Sequence, residues 1–303
     1  MWPSLDACER TSARICPRVM PPAELHRQPL DVVTACRAAD LSILKVTARQ
    51  LRVCLPLKKL HVITARTNFP KFHRALGPEV VLVDEDILIP GMTLQSLRQL
   101  TLPGFPQGAG WYFQQLLKFS FAFENPADDY YLIWDADTVP LRPMELFDGN
   151  GRMWFTTAEE YHAPYFETYR KLLGEEPHRE FSFIAQHLIV QKSILREMFG
   201  RIEANFPGPG HWAEKIMRQL EGASTNLFSE YEMLGHYVKN HYPGRAAYRE
   251  LPWLRHGSRE VFGTPSARDL ARLGVDYHFA AFESAERPLR RIVRQLREFL
   301  GRT

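Results

Sequence analysis

Four cysteines are all that this chain of 303 residues contains, and none is spaced to pair or to ligate. Cys8, Cys16, Cys36 and Cys54 fall in the first fifth of the chain without a Cys-x-x-Cys spacing. That excludes a zinc ribbon or a dense disulfide framework and predicts free thiols, with Cys36 and Cys54 buried as small apolar residues. No run approaches the ~18 apolar residues that a membrane-spanning helix needs. The opening Met1-Trp2-Pro3-Ser4-Leu5-Asp6 lacks the basic-then-apolar order of a secretory signal, so a soluble, cytoplasmic protein is expected. No Lys/Arg stripe interleaved with aromatics is found either, and nucleic acid is not expected as a partner. Repeats, low-complexity tracts and Pro/Gly/Ser-rich linkers are lacking too, which favours one continuous domain.

What is present is unevenly distributed. The net charge is +3, yet residues 286–303 hold six arginines against two glutamates, leaving the remainder slightly acidic. That tail, from Pro288 to Leu300, has apolar residues at helical spacing with arginines between them. It reads as an amphipathic helix that either contacts an anionic membrane surface, which would place the protein at the inner membrane, or packs its apolar stripe on the domain. Residues 1–28 are rich in Pro, Arg and Cys without periodicity and read as an irregular lead-in, so residues 29–285 are expected to form the domain proper.

Within that domain, apolar runs at 30–36, 60–64, 80–83 and 130–140 read as strands separated by helical stretches, notably 39–54 and 111–118. The pattern predicts βαβ units, an α/β fold with a central, mostly parallel sheet flanked by helices, and a site at the carboxyl ends of the strands. Gly104–Gly110 reads as a Gly/Pro loop before the second of those helices. Further on, 151–157 and 181–190 read as strands, with helices at 160–173 and 193–202.

The fourth run ends in Asp135-Ala136-Asp137. If the strand continues through them, alternation puts both carboxylates on one side, and burial there demands a cation or many donors. Mg²⁺ or Mn²⁺ held by one or two carboxylates, with water and phosphate completing its shell, satisfies that demand. The competing reading is a pair of turn or capping aspartates. Gln114, Gln115 and Lys118 share roughly one helix face just before this strand, either lining a cleft or facing water. Ser229-Glu230-Tyr231-Glu232 holds a capping box between Ser229 and Glu232, which leaves Glu230 the better candidate for proton transfer and Glu232 the alternative. Asp84-Glu85-Asp86, a second acidic cluster at a strand end, reads either as a site for acceptor hydroxyls or, because three acids in a row do not all face one site, as a solvated acidic loop.

Together, Thr34-Ala35-Cys36-Arg37, the helix from Trp111 to Lys118, Asp135-Ala136-Asp137 and Ser229-Glu230-Tyr231-Glu232 resemble a glycosyltransferase of the GT-A type, and more narrowly the bacterial DUF6492 proteins. The resemblance implies a GT-A, Rossmann-like nucleotide-diphospho-sugar transferase fold. It also implies a nucleotide-sugar donor, most naturally a UDP-sugar, a Mn²⁺ or Mg²⁺ ion, and a hydroxyl acceptor such as a glycan or glycolipid precursor. By that resemblance Thr34 and the first strand end hold the nucleoside, and Arg37 meets the pyrophosphate unless it only pairs with Asp40. Asp135 and Asp137 hold the metal with His256, or His278, as a third ligand. Gln186 and His187 contact sugar hydroxyls or sit hydrogen-bonded in the core. Two rival functions remain: a sugar-nucleotide nucleotidyltransferase, although Thr34–Leu41 lacks the glycine-rich phosphate loop such an enzyme needs, and a non-catalytic carbohydrate-binding protein on the same fold.

Overall fold

A computed structural model describes residues 28–99, 105–124, 128–222 and 226–283. Cys8, Cys16, the lead-in and the basic tail at 286–303 lie outside the described residues. In chain order the described strands are β1 (Leu30–Ala35), β2 (Leu57–Thr64), β3 (Val80–Asp84), β4 (Tyr130–Trp134), β5 (Thr138–Pro140), β6 (Met153–Thr157), β7 (His187–Gln191), β8 (Ala246–Glu250), β9 (Trp253–Leu254) and β10 (Phe279–Ala281). The α-helices are α1 (Leu41–Cys54), α2 (Phe69–Leu76), α3 (Leu94–Arg98), α4 (Phe105–Ser120), α5 (Ala163–Leu173), α6 (Lys192–Asn205), α7 (Trp212–Arg218), α8 (Glu230–His241), α9 (Gly257–Glu260) and α10 (Ala267–Leu273).

The apolar runs form strands because both of their faces are covered. Val32, Val33, Leu132, Ile133 and Trp134 are all essentially inaccessible, as expected of a parallel sheet sandwiched between helices. The main sheet runs β3-β2-β1-β4-β7, with β1 to β4 parallel and β7 antiparallel to β4. The mostly parallel, helix-flanked, Rossmann-like sheet expected from the sequence is the one the chain builds. Helix α1 supplies a covering face through Leu41, Leu44, Ala48 and Leu51, spaced at three and four residues. A three-stranded sheet, β5-β10-β9, and a parallel pair, β6-β8, complete the described β structure.

Cys36 and Cys54 are free and buried, and burial, the largest influence on each, pushes both thiols above their ordinary range. Three boundaries differ from the sequence reading. Helix α4 starts at Phe105 and runs straight through Gly108 and Gly110, which the sequence reading assigned to a loop. The run 130–140 is two strands, with a turn at Asp135–Asp137 between them. Of 181–190, only His187 onward is strand.

Candidate functional site

The strand order places the site. From β1 the chain steps outward to β2 and β3, then returns to the other side of β1 as β4, which opens a crevice between the carboxyl ends of β1 and β4. Thr34, Cys36 and Arg37 lie on one side of it, and Asp135 follows β4 on the other.

The two aspartates are held by a turn rather than by strand alternation, and its backbone is fastened from four directions. The Thr138 amide donates to the Asp135 carbonyl (3.1 Å), and the Asp135 amide donates to the Gln186 carbonyl (3.0 Å). Thr47 of α1 donates its hydroxyl to the Ala136 carbonyl (3.0 Å), and the Phe282 amide donates to the Asp137 carbonyl (2.8 Å). The side chains are therefore presented by a rigid support. Gln186 adopts φ 61°, alone among the described non-glycine residues in having a positive φ, and such strain concentrates at functional positions.

Lys118 is buried and lies between two carboxylates. Its Nζ donates to Asp135 Oδ1 at 2.7 Å and contacts Glu230 Oε1, while the ring of Tyr231 lies 5.0 Å from it. Burial works against the ammonium, but the charges of Asp135 and Glu230 outweigh it and hold the Lys118 pKa above the ordinary lysine value. At Glu230 burial raises the carboxyl pKa, opposed by Lys118 and reinforced by Asp135. Burial, then Asp135 and Glu230, push the Tyr231 phenol well above its usual range. Gln115 bolts this arrangement together: its amide donates to the Trp111 carbonyl (3.2 Å), and its Oε1 accepts the Glu230 amide (2.9 Å). Gln114 is half-buried on the same helix.

The capping box forms only in part. Ser229 accepts from the Glu232 amide at 3.4 Å, but the Glu232 carboxylate turns away to Ser182 Oγ (2.5 Å), the Phe183 amide (3.3 Å) and His236 Nε2 (3.0 Å). Its oxygens hold the 182–183 segment in place.

Asp137 stands in a negative neighbourhood. Burial, then the charges of Asp135, Glu283 and Asp40, push its carboxyl up to about 7. Asp40 is paired with Arg37 at 2.8 Å, and the Arg37 side chain is otherwise mostly exposed. Thr34 is buried, with no hydrogen-bond partner for its hydroxyl among the described residues. Among those residues no three His, Cys, Asp or Glu side chains are grouped to cage a metal ion. Two carboxylates from one turn, in surplus negative charge, nonetheless fit a divalent cation whose remaining positions are water and phosphate.

His256, half-buried, precedes α9, whose Gly257 packs so tightly on β10 that a Cβ would stand 2.8 Å from the Ala281 carbonyl oxygen. Ser258 then donates to the Glu283 carbonyl (3.1 Å), which brings the loop to the Asp137 corner. His278 lies at the far end of β10: Ala281 pairs with Thr138 next to the turn, whereas His278 bonds to Leu141. His187 is buried with both ring nitrogens engaged, by the Ala185 carbonyl (2.8 Å) and Thr156 Oγ1 (3.0 Å), and Trp134 stacks on its ring at 4.8 Å. Burial, then Arg249, pushes its pKa down to about 3. Gln186 is buried as well. At the end of β3, the Asp86 amide donates to Asp84 Oδ1 (3.2 Å) in a local turn; Asp86 is exposed, but Asp84 and Glu85 are half-buried, so the segment is less solvated than the sequence implies.

Tyr231 and Glu283 escaped the sequence reading. Tyr231 sat unnoticed between two glutamates, and Glu283 follows a three-residue strand too short to show alternation.

This is an α/β protein whose crevice gathers charge at a topological switch point. The chain belongs to the DUF6492 family, described as a family of unknown function, which it matches over residues 38–242. No curated protein matches it in sequence. Among solved structures it is similar to an active-site mutant of LgtC (13% identity, 84% of this chain and 87% of that one, TM-score 0.46). It is also similar to apo mouse xyloside xylosyltransferase 1 (10% identity, 86% and 99%, TM-score 0.47) and to the bifunctional glycosyltransferase WbbM (10% identity, 84% and 46%, TM-score 0.42). At this level of overlap no residue role is carried over from them.

Proposed function

We propose that the protein is a GT-A-type glycosyltransferase that moves a sugar from a nucleotide diphosphate, a UDP-sugar, to the hydroxyl of an acceptor glycan or glycolipid precursor. One observation carries this reading: buried Lys118 bridges Asp135 and Glu230 at the carboxyl end of β4, beside the switch point. Asp135 and Asp137 would hold Mn²⁺ or Mg²⁺, with His256, whose loop is tied to the Glu283 backbone, as the further ligand. When bound, that ion supplies neutralisation of the charge that develops on the departing diphosphate.

This chain's residues do the rest. Lys118 fixes the rotamer of Asp135 and adds positive charge beneath the phosphates. Arg37, exposed and tied among the described residues only to Asp40, is available to the pyrophosphate, and Thr34 offers a hydroxyl that no described residue satisfies at the nucleoside end of the crevice. In an inverting transfer, the acceptor oxygen bonds to the sugar's anomeric carbon, the bond to the diphosphate breaks with its electron pair leaving on phosphate, and the acceptor proton passes to Glu230. Burial raises the Glu230 carboxyl pKa, the direction that makes a carboxylate the more basic. Glu232, already engaged by three groups, is the weaker candidate.

The test is a thermal-shift screen of nucleotide-sugars with and without Mn²⁺, followed by assay of nucleoside diphosphate release. A Mn²⁺-dependent rise in melting temperature with at least one nucleotide-sugar, together with diphosphate release, is expected, and both should vanish in Asp135→Ala and Asp137→Ala. A panel that gives neither shift nor release refutes the transferase; binding that survives both substitutions refutes the metal assignment alone.

A further inference from the structure

Beyond the crevice lies a cavity of about 590 Å³ between the β6-β8 pair, the start of α5 and the segment before β7. Its volume falls within the range of small-molecule sites, roughly 300–1,000 Å³. It is not part of the charged centre, but the two share a wall. Ser182 lines the cavity and is held by Glu232, two residues after Glu230 at the start of α8. The chain then runs four residues to Gln186, whose carbonyl receives the Asp135 amide.

The lining has a definite chemistry. Tyr161, Phe181 and Trp253 supply aromatic faces. Tyr161 is 58% exposed, and an exposed aromatic on a concave wall is the kind of surface on which the C–H face of a sugar ring packs. Four glutamates meet two arginines around the lining, so acids are in excess. Arg255 is bonded to Glu160, and Arg179 lies on Phe166 near Glu176. Glu180 is bonded to Lys239 (2.6 Å). Glu159 and Glu250 are left as open hydroxyl or ammonium acceptors. A phosphate or carboxylate would enter a field of its own sign.

We infer that this cavity is the acceptor site of the proposed transferase and that its occupant is an uncharged or amino-bearing sugar, not a phosphorylated or uronic one. The assignment rests on the transferase reading and divides the site by charge. The anionic donor binds at the Lys118–Asp135 crevice, and the hydroxyl acceptor enters from the acidic cavity.

Saturation-transfer NMR on the full chain tests it, with three probe sets: neutral methyl hexosides, 2-amino-2-deoxyhexosides, and hexose phosphates with methyl uronates. Signal from the first or second set is expected, weakened about three- to tenfold by Tyr161→Ala, while the Mn²⁺-dependent thermal shift with nucleotide-sugar stays unchanged. A Glu159→Gln/Glu250→Gln variant keeps the surface fold and is expected to weaken the amino sugars most. Three results overturn the inference: no signal from the first two sets while the nucleotide-sugar still binds, a signal that Tyr161→Ala does not alter, or preferential binding of the anionic set. Failure of nucleotide-sugar binding itself strikes the transferase reading instead.

Discussion

At the scale of single residues, Lys118 is the most consequential side chain in the crevice. An ammonium this deeply buried survives only because two carboxylates meet it, and removing it leaves Asp135 and Glu230 facing each other in a poorly solvated space. Lys118→Met should therefore cost about 3–5 kcal/mol in urea unfolding at pH 7. Adding Glu230→Gln should recover part of that loss, since the double variant no longer buries an unpaired acid there. A cost below about 1 kcal/mol for the single variant would mean that Glu230 is neutral in the fold and the pair is not ionic. The sequence placed Lys118, Glu230 and Asp135 on the list of important residues but assigned them separate tasks, because positions so distant along the chain give no sign that one lysine serves both acids. Gln115 shows the same limit. The sequence puts it on a face that either lines a cleft or meets water, and the fold uses both ends of its amide internally.

Among the elements, α8 is buried along nearly its whole first two turns, and a glycine makes that possible. A Cβ on Gly235 would stand 2.2 Å from the Phe183 ring, so the ring's seat against the helix exists only because residue 235 has no side chain. Gly235→Ala should lower stability by about 1–3 kcal/mol through overpacking, despite alanine's better helix propensity. Adding Phe183→Leu should restore most of the loss in a thermal melt, and a stabilising Gly235→Ala would show that the seat is loose. The elements best read from sequence were those with a simple burial rule: β1 to β4 as apolar runs, α1 by its spacing, and the start of α8 by Ser229. Those misread were decided by distant partners. Glycines 108 and 110 cost α4 roughly 1 kcal/mol each, a penalty its buried aromatic and leucine face overrides. The run from Phe181 was not a strand because Glu232 captures Ser182 and Gln186 turns left-handed, and neither cause is local.

For the molecule as a whole, the three sheets meet at His187. It belongs to β7 of the main sheet, accepts or donates to Thr156 of the β6-β8 pair, stacks on Trp134 of β4, and receives the edge of Phe279 from β10 at 5.0 Å. A charge there would be buried among aromatics with no acid beside it among the described residues, so the junction requires the neutral imidazole, and its pKa falls to about 3. The sign of the linkage follows. Unfolded, the imidazole titrates near 6.5; below that pH the unfolded chain takes up a proton that the fold refuses, so stability contributed by the neutral junction is present above about 6.5 and drains away as pH falls toward 3. One proton sets the slope at about 1.4 kcal/mol per pH unit. Comparing the native chain with His187→Gln removes the background from other carboxylates. The native chain should be the more stable at pH 7, and the gap should narrow by about that slope between pH 6 and 4 in urea titrations. Parallel curves across that window would mean that the imidazole reaches a proton in the folded state and that the junction of the three sheets is wetter than its packing implies.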